Sequence, residues 1–169
     1  MMIAVLFFLS SLSIRQNPSD DVRVSIQILD AAGVSNSLVI GFHIDATGGY
    51  DLQLGEMPVP PLPLENVFDA RIVDVPGRER MPSTGSYVDM RKLVALSQVD
   101  TFVIRFRTAV ESYPITFSWD PEASELCESL TLKYHDGRQE YEVDMLSTNE
   151  WVVKDSTITS CRIVWYGVK

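Results

Sequence analysis

Two cysteines, two histidines and 14 Lys plus Arg among 169 residues are what this sequence has little of. His43 and His135 have no Cys or His at metal-ligand spacing beside them, which excludes a zinc site of the finger or ribbon kind. No G-x-S-x-G elbow is present, so neither histidine has the serine of a hydrolase triad to serve. The 14 basic residues stand against 23 acidic ones, giving a net charge of −9 and a pI near 4.6. Such a surface repels phosphate backbones and anionic headgroups, and excludes nucleic acid as a partner. Beyond the first residues no apolar run approaches the roughly 20 needed to cross a bilayer, so the mature chain carries no membrane span. No stretch shows an apolar stripe over four helical turns, and none repeats internally.

What is there reads as strands. Hydrophobic residues make up 46% of the chain and charged ones 22%, the balance of a chain with a core. Val22–Ile28 alternates apolar and polar with period two, as do Ser37–Ile44, Thr101–Arg107 and Ile115–Trp119. Val67–Val73, Leu130–Tyr134, Tyr141–Leu146, Trp151–Val153 and Cys161–Tyr166 complete the set, with Ser86–Leu93 left between strand and short helix. Ala32–Asn36 is a turn, and His135-Asp136-Gly137 signals a hairpin. Pro76-Gly77 and Pro82–Gly85 bracket a charged loop at Arg78-Glu79-Arg80. About ten short strands with Gly, Pro and Asp turns predict an all-β, antiparallel β-sandwich, immunoglobulin-like or jelly-roll-like, over residues 22–169.

The start of the chain, MMIAVLFFLSSLSI, has the length of a signal peptide and a small-residue cleavage signal at Ser11 and Ser13. Removal of residues 1–15 on export is expected. A buried first strand is the alternative.

The longest irregular excursion is Gly41–Ala70. Within it Asp45, Asp51 and Glu56 stand at positions 1, 7 and 12 of a twelve-residue window, the ends of an EF-hand loop. Thr47, Gly49 and Tyr50 fill interior positions that an EF-hand gives to Asp, Asn and Gly, so only a looser calcium cage is open to it. The alternative gives the Asp residues to turn caps and Glu56 to solvent. No cofactor is required; calcium is the one candidate. Pro58, Pro60, Pro61 and Pro63 read as a stiff crossover between sheets, or as a polyproline ligand.

Asp69, Asp89, Asp120 and Glu122 are carboxylates that a glycosidase would pair across a cleft, at a separation sequence does not give. Among the aromatics, Trp119 sits in the core register with Phe117. Trp151, behind Thr148-Asn149-Glu150, and Tyr50 are the candidates for ligand stacking. Cys127 and Cys161 either form a disulfide, in keeping with export, or remain two buried thiols.

One ordered set of pieces resembles a known family. Ile44–Asp51 with Leu54-Gly55-Glu56, Pro58–Pro63, Phe68–Arg71, Tyr113–Asp120, Leu130-Thr131-Leu132 and Ile158–Ile163 are similar to the β-sandwich module preceding the sorting domain of bacterial proteins exported by type IX secretion. The resemblance spans about Val22 to Tyr166 and implies an immunoglobulin-like domain, secreted or at the cell surface, with no catalytic residues. The expected function is a non-catalytic module of structural or adhesive use, whose partners are surface polysaccharide or other surface proteins. A carbohydrate-binding module is the second reading, and a glycosidase-like enzyme the third.

Overall fold

The alternation at the start of the chain has one dry face behind it. In β1, Asp21–Asp30, the side chains of Val22, Val24, Ile26 and Ile28 are buried while Arg23, Ser25 and Gln27 face water. β3 (Asp69–Val73) and β4 (Val88–Lys92) bury residues on both faces, while the same rule sets β2 (Ser35–His43), β5 (Val99–Arg107) and β6 (Ile115–Trp119). It continues through β7 (Ser129–His135), β8 (Glu140–Asp144), β9 (Glu150–Val153) and β10 (Ser160–Tyr166). The computed structural model describes residues 21–64, 66–73, 85–120 and 122–169. The export segment 1–15 and the charged loop at Arg78-Glu79-Arg80 lie outside the described residues.

The ten strands form two five-stranded sheets, ordered β4-β2-β1-β6-β9 and β3-β5-β10-β7-β8. Their inner faces share one apolar cluster, so the fold is the expected all-β sandwich. Ser86–Leu93 resolves as strand, and β4 pairs with β2 in parallel, from Val39↔Val88 to His43↔Lys92. All other ladders are antiparallel. A helical turn at Ala123–Leu126 and two 3-10 turns are the helical elements among the described residues.

Register fixes which loops share an end. Asp21 pairs with His43 and His43 with Lys92. The Gln98 amide donates to Lys92 O at 3.1 Å and Gly167 N to Gln98 O at 2.9 Å, so β1 starts and β10 finishes at this one end. At the far end Asp30 accepts Ala32 N at 3.0 Å, Val34 N at 2.9 Å and the Thr108 hydroxyl at 2.7 Å. There the turns after β1, β5, β7 and β9 gather.

Aromatic pairs fill the core at both ends. Phe42 meets Trp165 edge-on at 5.2 Å and Phe102 at 6.1 Å. Phe106, Phe117 and Trp151 form a second cluster, with centroids 4.9–6.0 Å apart. Each such contact adds about 0.5–1.5 kcal/mol beyond area burial. This corrects the expectation for Trp151: it is 7% exposed, because its strand pairs with β6 and turns the indole inward beside Phe117. Trp119 is core as expected, its indole N–H donating to Met145 O and Thr148 O at 2.8 Å.

The disulfide is a second correction. Cys127 and Cys161 are both free and buried. Cys161 faces Tyr134 in the β7–β10 ladder, whereas Cys127 precedes Ser129, which faces Tyr166 at the other end of it. Five strand residues separate those positions, about 17 Å, beyond the roughly 4.4–6.8 Å that a bridge spans.

The two sheets are joined by charge as well as by apolar contact. Arg91, on the inner face of β4, donates from Nη2 to Asp89 at 2.8 Å and from Nη1 to Asp100 of the opposite sheet. Its guanidinium carbon lies 4.0 Å from the centroid of Phe102. Burial pulls the Arg91 pKa down, but the two carboxylates outweigh it and hold it above the ordinary arginine value.

Two outcomes follow from these contacts. Arg91→Met should lose about 3–5 kcal/mol in chemical denaturation, because it strands two buried carboxylates. Arg23→Met, in the exposed pair with Asp21, should lose less than about 1 kcal/mol; equal losses would deny Arg91 its role as a clamp. For the cysteines, burial pushes the Cys127 thiol up to about 11 and raises that of Cys161 further. Alkylation at pH 8 should therefore spare the native protein and label two thiols once it is unfolded without reductant; no label on the unfolded chain would restore the bridge.

Candidate functional site

The Gly41–Ala70 excursion leaves β2 at the end where β1 starts and reaches β3 at the end where Asp69 faces Arg107. It therefore runs along the side of the sandwich where β4 and β3 are the sheet edges. Its first half is built from side chains that satisfy nearby backbone. Asp45 N donates to His43 Nδ1 at 3.0 Å, which puts the proton of the neutral ring on Nε2. Asp51 turns back to accept Thr47 N at 2.6 Å and the Thr47 hydroxyl at 2.8 Å. Its carbonyl starts the 3-10 turn Leu52–Leu54, accepting Leu54 N at 2.8 Å, and Gly55 closes that turn at φ 91°. Tyr50 is half-buried, and its hydroxyl donates to Gly85 O at 3.1 Å.

Glu56 behaves unlike a loop carboxylate. It is 1% exposed and accepts Asp51 N at 2.7 Å and Met90 N at 2.6 Å. Leu93 N and Tyr87 O bond to β2, so odd-numbered backbone of the β4 region faces its partner strand and Met90 N–H points to the open side. Glu56 fills that position with a carboxylate, and Ser86 Oγ does the same for Val88 N at 3.1 Å. Side chains thus close an edge that would otherwise pair with another strand. Burial raises the Glu56 pKa against the pull of the two N–H donors, and the neighbouring Asp89 adds to the rise.

The second half covers the β3 edge. Pro58 bridges to Ser86, and Ser86 exchanges backbone bonds with Ile72 at 2.9 and 3.0 Å. Gly85, at φ 80°, must be glycine here: a Cβ would meet Ile72 O at 2.4 Å. The proline run is the stiff crossover, pinned by Arg71 Nη1 to Pro60 O at 2.8 Å and by Arg107 Nη2 to Pro63 O.

The first half of the excursion borders an open cleft of about 410 Å³, whose walls include His43, Asp45, Tyr50, Asp51 and Gln53. It thus unites Tyr50, Asp45 and Asp51, while Glu56 lies buried behind them and Trp151 sits in the core. His43 Nε2–H and the Gln53 amide can donate, and the Asp45 carboxylate can accept. That set suits a polar, hydroxyl-bearing ligand. A cation bound between Asp51 and Glu56 would have to draw both from the N–H and O–H groups they now accept. Among the described residues no group of three or more His, Cys, Asp or Glu is arranged to hold a metal ion. Comparison with protein-family models, curated proteins and solved structures finds no match.

Of the four carboxylates weighed for glycoside hydrolysis, Asp69 and Asp89 are held by arginines, while Asp120 and Glu122 line one small cleft of about 150 Å³. Asp69 binds Arg71 through two bonds of 2.7 and 2.5 Å, and Asp89 binds Arg91. Asp120 accepts Glu122 N at 2.9 Å in a turn, and Glu122 is exposed. The signal for the first two was the repeated Asp-x-Arg at 69–71 and 89–91, since residues two apart on a strand share a face.

Glu56→Gln should cost about 1–3 kcal/mol, because an amide cannot accept from both Asp51 N and Met90 N. The folded-state pKa of Glu56 lies above its ordinary 4.5, so its contribution is fully present below pH 4.5 and is lost as pH rises through the raised value. The stability gap between wild type and Glu56→Gln should then shrink from pH 4 to pH 7; a gap that widens would mean the two N–H groups prevail over burial.

Proposed function

We propose that the chain is a non-catalytic β-sandwich module, exported to the bacterial cell surface, with a structural or adhesive role there. The observation that carries this reading is the geometry of the two ends: β1 starts where β10 finishes, and the turns after β1, β5, β7 and β9 crowd the opposite end. A sandwich of this connectivity presents those turns away from the points where the chain enters and leaves it. The use of its side chains agrees with that role. All three tryptophans are in the core, and the Asp-x-Arg charges join sheets and pin the crossover. Both sheet edges beside the excursion are covered, which suits a domain exposed to other proteins.

Surface labelling tests it. A membrane-impermeant amine reagent applied to intact cells should modify the exposed Lys92, Lys154 and Lys169, and cells lacking the protein should attach less to their substratum. Protein labelled only after lysis, or unchanged attachment, would overturn the reading.

A further inference from the structure

Although the chain is acidic overall, its cations collect on the outer face of the β3-β5-β10-β7-β8 sheet. The alternation that buries Phe102, Ile104 and Phe106 turns Val103, Arg105 and Arg107 outward from β5. Among the described residues, the exposed Arg105 guanidinium makes no hydrogen bond or ion pair. Arg107 holds Pro63 O through Nη2, but its Nε–H is buried without an acceptor. A cleft of about 240 Å³ opens beside them, lined by Leu62, Asp69, Arg105, Phe106, Arg107 and Thr159. The carboxylate in that lining, Asp69, is already neutralised by both arms of Arg71. What the cleft has to offer is therefore donors: the Arg105 fork and the Thr159 hydroxyl. Planar guanidinium groups match the two oxygens of a carboxylate.

We propose that this cleft binds a carboxylate group, that of a uronic acid in an acidic polysaccharide. The inference deepens the adhesive reading and takes from it that the ligand is a surface polymer. A polymer is favoured because the cations continue across the sheet. Arg105 faces Ser160 on β10, and Arg162 on β10 faces Lys133 on β7, on strands about 4.8 Å apart. A second, larger cleft of about 520 Å³ follows that row, past Thr101, Ser160, Arg162 and Lys133, with Glu140 also in its wall. Hydroxyl side chains thus alternate with cations, the mixture that a chain of sugar acids engages. Arg162 and Lys133 are shared with Glu140 and Glu142, so the uncommitted guanidinium of Arg105 forms the primary contact.

The probe is trigalacturonate, titrated into purified protein while backbone amide resonances are followed. Shifts should centre on Arg105, Phe106, Arg107 and Thr159, and the methyl-esterified trimer, which lacks the charge, should produce none. Arg105→Gln, which breaks no contact within the fold, should weaken binding about tenfold or more. Lys154→Gln, the same charge change on the loop after β9, should leave it unchanged. A silent wild type, binding indifferent to Arg105→Gln, or a hexaglutamate peptide binding there more tightly than the trimer would overturn the proposal. Because this measurement uses isolated protein, its failure leaves the surface-labelling and attachment result standing on its own.

Discussion

Arg91 is the contact on which the corner of the sandwich depends. It brings one positive charge between two carboxylates, Asp89 on its own strand and Asp100 on the facing sheet, over the ring of Phe102. Three buried charges are costly to desolvate, and attraction among them repays that only when geometry is close. The consequence is positional. The parallel strand β4 carries only five residues and pairs with a single neighbour, so the ion cluster is what sets it against β5. Glu56 and Ser86 can cap the open side of β4 only because that strand is held there.

A second constraint is the long crossover. The chain must travel from one end of the first sheet to the opposite end of the second, passing the edge strands β4 and β3 on the way. Proline removes backbone donors along part of this path, and arginines from β3 and β5 take up the carbonyls of Pro60 and Pro63. Those arginines stand on the outer face of their sheet. Arg71 is buried because the crossover lies over it, whereas Arg105, one strand further in, remains exposed. The same covering loop thus makes both the buried ion pair and the wall of the cleft beside Arg107.

Local pattern was enough for the strands and for the class of fold, because a strand with one dry face writes its burial into the sequence with period two. Turn chemistry was legible for the same reason: Asp136 and Gly137 shape the β7–β8 hairpin through bonds within four residues. The roles of Trp151, Cys127 and Cys161 were not, since each depends on which strands are neighbours. The ladder that brings β9 beside β6 buries Trp151, and the ladder of β7 with β10 holds the cysteines apart. Glu56 shows the limit most clearly. Its spacing from Asp45 and Asp51 suggested a cation loop, yet one of its two partners, Met90 N, lies 34 residues away and is placed by tertiary structure alone. Sequence therefore determined which residues alternate and where the chain turns, because those forces act between near neighbours; the pairing of charges, the fate of the cysteines and the location of the clefts were decided by the order of strands, which only the packed sheets set.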